Sequence, residues 1–98
     1  MFDKMKQVME MQRKMQDMKR ELEQTDFEIA SGDGLIKIVM NGAQEVKEVM
    51  LADDVKSAEK THLEKILKDT YNRAIKRSHD IAAEKMKSMT GFDIPGLT

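Results

Sequence analysis

Apolar residues in the first 24 positions step by threes and fours: Met1, Met5, Val8, Met11, Met15, Met18 and Leu22. A mean spacing of about 3.5 is that of a coiled-coil-like seam. The stretch has no Gly or Pro and is rich in Met, Lys, Glu and Gln, so the pattern predicts a helix over about 2–24. The period then changes. Asp26-Phe27-Glu28-Ile29 alternates polar and apolar, and Ser31-Gly32-Asp33-Gly34 reads as a turn. Ile36, Ile38 and Met40 alternate with Lys37 and Val39, the period of a pleated strand. Asn41-Gly42 follows, a dipeptide that tolerates the positive φ of a tight hairpin turn. In the returning run Val46 to Leu51, the apolar positions Val46, Val49 and Leu51 do not share one parity. A bulge between Val46 and Val49 reconciles them. The middle of the chain, about 25–51, is therefore expected to be a three-stranded antiparallel meander with one apolar face, which a helix must cover.

From about 57 to 89 a second stripe runs at period 3.6: Leu63, Ile66, Leu67, Thr70, Tyr71, Ala74, Ile75, Ser78, Ile81, Ala82, Met86 and Met89. Asp53 or Asp54 is a candidate cap for a first turn, and Thr61 with Glu64 a candidate capping box. Residues 90–98 read as a stop and a tail, with Gly91 at the position of a helix C′ residue and Pro95 preventing continuation. The expected architecture is α+β, in the order α-β-β-β-α, forming a single domain over 1–98.

Helix lengths bear on assembly. Helices over 57–89 and 2–24 would be roughly 50 and 35 Å long. Strands of six or seven residues span only roughly 20 Å. At least one helix must overhang the sheet and expose its stripe. A second copy of the chain is the simplest cover, so a homodimer with projecting helical arms is expected.

Composition narrows the chemistry. Charged residues make up 36% and aromatics 4%, so the core is small and aliphatic. With no cysteine, disulfides, thiolate nucleophiles and Cys-based metal sites are excluded, which fits a reducing cytoplasm. No apolar run approaches the roughly 20 residues needed to span a bilayer, and the N-terminus lacks the apolar core of a signal peptide. His62 and His79 stand at no ligand spacing, and no Gly-rich phosphate loop is present. The four serines have no catalytic motif around them. No catalytic residue, metal site or cofactor is implied.

Net charge is −1, but the charge is segregated. Residues 1–24 carry six Lys/Arg against five acids, 25–55 two against seven, and 56–98 nine against six. Lys4, Lys6, Arg13, Lys14, Lys19 and Arg20 recur along the first helix. Lys65, Lys68, Arg73, Lys76 and Arg77 recur along the second. These are ordinary solvated faces or candidate contacts to a polyanion, since local fields set where one docks. There are no aromatic platforms of the kind used by single-strand binders and no short helix–turn–helix. Any DNA contact would be to phosphates, hence salt-sensitive and weakly sequence-selective.

Four strings in order resemble the YbaB/EbfC family of bacterial nucleoid-associated proteins. They are the N-terminal helix MKQVMEMQRKMQDMKREL; Gly34 to Gly42, similar to a G-x-V-x-V-x-x-N/S-G signature; LKDTYNRAIKRSHDIAAEKMKSMTG; and the tail Met89 to Gly96, similar to a TGG…PG ending. Arg73 stands where many members have Asp, and Phe92 replaces the second Gly of the tail pair. The resemblance implies a tweezer-like homodimer that binds double-stranded DNA in the cytoplasm and nucleoid and influences nucleoid organisation and gene expression. It also implies recombination or replication proteins as further partners. By position it points to the eleven basic residues named above. A competing reading is a protein-interaction adaptor or small chaperone, because Met-rich amphipathic helices also bind other helices.

Overall fold

The central strand carries the core. In the computed structural model, which describes residues 2–90 and the side chains of 3–88, β2 (Ile36–Asn41) lies between β1 (Asp26–Ala30) and β3 (Val46–Leu51) in an antiparallel sheet. The helices are α1 (Phe2–Gln24) and α2 (Lys60–Thr90). Ile36, Ile38 and Met40 point to one face and are buried. Across from them sit Ile29 and Phe27 of β1, and Leu51, Val49 and Val46 of β3. The register shifts so that Val46 faces Met40 while Glu48 faces Val39. Lys47 is the extra residue, and this bulge puts the three apolar residues of β3 on one face as their spacing demands.

α2 lies on that face. Thr70, Ala74 and Ser78 are completely buried along its contact line, with Ile81 beside them. These residues are small, so the helix comes close to β2. It packs on β2 and β1. Arg73 fastens the β1 side, donating from Nη2 to the Ala30 carbonyl at 2.9 Å. β3 is left largely uncovered.

Three local expectations are corrected. Residues 53–57 form a short 3-10 helix whose N-cap, Ala52, makes no side-chain capping bond, so neither Asp53 nor Asp54 acts as the N-cap. α2 starts at Lys60, which places Thr61 inside the first turn and not at the cap. The positive φ of the hairpin falls on Gln44 (64°), not on Gly42. Gly42 is needed for a different reason. A Cβ there would lie 2.9 Å from Leu22 Cδ2, 3.2 Å from Ile81 Cγ2 and 3.2 Å from the Leu22 carbonyl oxygen. The hairpin is wedged between the two helices. The expected tail, with Gly91 as the helix C′ residue, and the first seam residue, Met1, fall outside the described residues.

α1 runs antiparallel to the C-terminal half of α2. Its last turns touch the body through Leu22, which is buried, and Glu21 Oε2 lies 3.4 Å from Lys85 Nζ. The turns before Lys14 project. The molecule is accordingly 66 Å long and only 24 by 16 Å across, with a radius of gyration of 18.2 Å. A compact chain of this length would have about 13 Å.

Candidate nucleic-acid interface

Every basic residue singled out in the sequence is exposed: Lys4, Lys6, Arg13, Lys14, Lys19 and Arg20 on α1, and Lys65, Lys68, Arg73, Lys76 and Arg77 on α2. They do not form one surface. On α1, Lys6, Arg13 and Arg20 are seven residues apart. Seven residues make nearly two helical turns, so the three side chains stand in one row with about 10.5 Å between successive cations. Asp3, Glu10 and Asp17 form a second column beside it. Among the described residues no cation of this row is held in an ion pair.

The α2 residues are more dispersed and more committed. Arg73 bonds both Asp69 (3.0 Å) and the Ala30 carbonyl, so it ties helix to sheet. Lys76 is 3.6 Å from Asp80. Arg77 lines a groove with Thr25, Asp26, Phe27 and Lys85 on the β1 side. Lys65, Lys68 and Lys76 lie off the contact line that Thr70, Ala74 and Ser78 make with the sheet, and all three are exposed. The row on α1 is the most regular basic feature. It stands on a helix that projects from the body, where a rod-shaped polyanion has access from the side.

Some interactions were not visible in the sequence. Lys85 joins the helices through Glu21. Nothing in the spacing announces that pair, since it depends on the antiparallel crossing of α1 and α2. His62 Nε2 lies 2.8 Å from Asp33 Oδ2, linking the start of α2 to the β1–β2 turn. The His62 hydrogen bond, followed by those from Ser31 Oγ and the Leu35 N–H, lowers the Asp33 carboxyl to about 2. Its contribution to stability is therefore present above the ordinary carboxylate value of 3.8 and is lost as pH falls toward 2. Among the described residues no group of three His, Cys, Asp or Glu is placed to hold a metal ion. No described helix is long and apolar enough to cross a membrane.

The profile of the YbaB/EbfC DNA-binding family matches residues 1–92. The chain belongs to that family. Among its relatives, a nucleoid-associated protein of Dictyoglomus turgidum is 38% identical over 96 residues, covering 96% of this chain and 92% of the relative. One from Clostridium kluyveri is 34% identical over 95 residues, covering 95% and 83%. The crystal structure of an uncharacterized protein from Helicobacter pylori superposes with a TM-score of 0.69 at 16% identity, covering 87% of this chain and 98% of that one. That likeness is one of fold. Family membership makes the exposed cations of this fold the first place to look for DNA contacts.

Proposed function

We propose that the protein is a nucleoid-associated protein that binds double-stranded DNA as a homodimer, with little sequence preference, through the row Lys6, Arg13 and Arg20 on each α1 arm. The observation that carries this reading is the regular row of exposed cations, none of them in an ion pair among the described residues, on a helix that projects into solvent, in a chain of a DNA-binding family. Phosphates are the chemistry that an evenly spaced row of Lys and Arg matches. Among the described side chains no aromatic platform stands beside the row to stack a base.

A second copy is supported by the uncovered half of the sheet. Val46, Val49 and Leu51 of β3 are 44%, 52% and 59% exposed on the face that α2 covers elsewhere, and Leu67 and Tyr71 of α2 are exposed as well. An apolar strip on an edge strand invites association. The second copy covers this strip and leaves both arms free. Replacing Val49 and Leu51 together with Lys should halve the mass measured by light scattering. A wild-type protein of monomer mass would reject the dimer.

A salt titration tests the DNA reading. If two arms each neutralise three phosphates, log affinity should fall against log salt with a slope of roughly −5. Lys6→Ala, Arg13→Ala and Arg20→Ala combined should remove most of that slope on any duplex. Arg73→Ala should leave it unchanged, because that guanidinium is bound to the sheet. Absence of binding at low salt would reject the reading. It would favour the adaptor alternative, which the exposed methionines of α1 support.

A further inference from the structure

The C-terminal end of the projecting arm is fastened by hydrogen bonds to one turn. Asn41 is completely buried and its side chain is fully used. Oδ1 accepts from the N–H groups of Ala43 (2.9 Å) and Glu45 (3.0 Å), which shapes the hairpin. Nδ2 donates to Glu45 Oε1 (2.9 Å) and to the Glu23 carbonyl (3.1 Å) in the last turn of α1. The next residue continues the attachment, since the Gly42 N–H donates to the Leu22 carbonyl at 2.9 Å and the Thr25 carbonyl at 3.0 Å. The Leu22 and Glu23 carbonyls are among those that the last turn of a helix leaves without intrahelical partners, and the Leu22 carbonyl also accepts from the Thr25 N–H at 3.2 Å. On the other side, Ser78 Oγ of α2 donates to the Asn41 carbonyl (2.9 Å) and accepts from the Gln44 N–H (3.0 Å). A single four-residue turn thus binds the C-terminus of one helix and the middle of the other.

We infer that Asn41 and Gly42 are positioning residues that set the direction and rigidity of the α1 arm, and through it the span over which the arm presents Lys6, Arg13 and Arg20. The other anchors of α1 among the described residues are less directional. Among them Leu22 is the one buried side chain of α1, Met18 and Glu23 are half-buried, and Glu21–Lys85 is a partly exposed ion pair of the kind worth little in water. A buried amide with every donor and acceptor matched is directional, which apolar contact is not. The arm acts as a lever, because Gln7 stands about 22 Å along the helix from Leu22. A small rotation at the joint becomes a larger displacement at Arg13 and the largest at Lys6, while Arg20 stays near the joint.

The consequence for binding rests on the proposed function, but the test of the joint does not need DNA. The chain contains no cysteine, so Gln7→Cys on the arm and Lys56→Cys on the body, both exposed, can carry a single pair of spin labels. Labelled protein diluted into unlabelled protein reports the distance within one protomer. Asn41→Asp keeps both acceptors of the turn and removes both donors, placing a carboxylate against the Glu23 carbonyl and Glu45. The distance distribution is expected to broaden at least twofold while the helical signal and the mass stay those of the wild type. Gly42→Ala keeps every hydrogen bond and adds a methyl between Leu22 and Ile81. Relieving the contacts with Leu22 by tilting α1 should shift the mean distance at the label, so this variant carries the test if Asn41→Asp does not fold. Wild-type centre and width in Gly42→Ala, or in a folded Asn41→Asp, would overturn the inference. An altered distance with unaltered DNA affinity would keep the joint and reject the arm as the DNA-binding element.

Discussion

α1 and α2 both carry an apolar stripe at helical period, yet they end in opposite environments. Along α2 the centre of the stripe is closed over the sheet, with Thr70, Ala74 and Ser78 fully buried on the side of Ile36, Ile38 and Met40, and among its described residues only the β3 edge, Leu67 and Tyr71, is exposed. Along α1, Met5, Val8, Met9, Met11 and Met15 stay in water, Met5 at 66% exposure, and burial begins only near Met18. Periodicity marks a face as apolar without saying what covers it. The difference lies in the residues of the stripe. Small side chains on α2 let the helix backbone approach the sheet, while the large, flexible thioethers of α1 suit a surface that is not locked to one neighbour. The strands repeat the contrast. β2 and β3 direct apolar residues to the same face, but one helix covers only β1 and β2.

The strongest way to break this comparison is to remove bulk from the covered region. Ile38→Ala empties a site that is 1% exposed, flanked by Ile29 and Val49 across the strands and lying in the cluster with Ala74. It should lower unfolding free energy by about 2–5 kcal/mol, measured by denaturant titration. A loss below about 1 kcal/mol would mean that the sheet face is not the core.

Much of this was legible in the sequence because the strand and helix periods are physical consequences of side-chain direction. The α-β-β-β-α order, the bulge ahead of Val49 and the overhang of the helices all followed from spacing and length. The α2 start, the site of positive φ and the role of Gly42 did not. They depend on what approaches the turn from elsewhere, and Leu22 and Ile81 are 20 and 39 positions from Gly42 in the chain. The candidate site was legible only as a set of cations. Arg73 and Lys6 look equivalent in the sequence, and the fold separates them by pulling one onto the Ala30 carbonyl and leaving the other in solvent.

A change of opposite sign sharpens the account of α2. Thr70 is completely buried and its Oγ1 has no hydrogen-bond partner. An unsatisfied buried hydroxyl costs free energy. Thr70→Val preserves shape and removes the hydroxyl, so it should raise stability by about 1 kcal/mol. The gain should show as a higher denaturant midpoint at unchanged slope. A loss of similar size would mean that the hydroxyl has a use that the packing of this helix does not reveal.

The smallest expected effect falls on the arm, and its smallness is the point. Met5→Gln with Met9→Gln adds polarity to two residues that water already reaches, on a helix held at its other end by Leu22 and the Asn41 turn. Unfolding free energy should change by less than about 0.5 kcal/mol, as for other exposed substitutions. If the homodimer forms through β3 and α2, that value should be the same at every protein concentration, because the arm stays outside the interface. A loss above about 1 kcal/mol that grows with concentration would follow from mass action on a shared surface. It would mean that the second copy covers the α1 stripe as well, so that both helices end up buried and differ only in whether the neighbour belongs to the same chain.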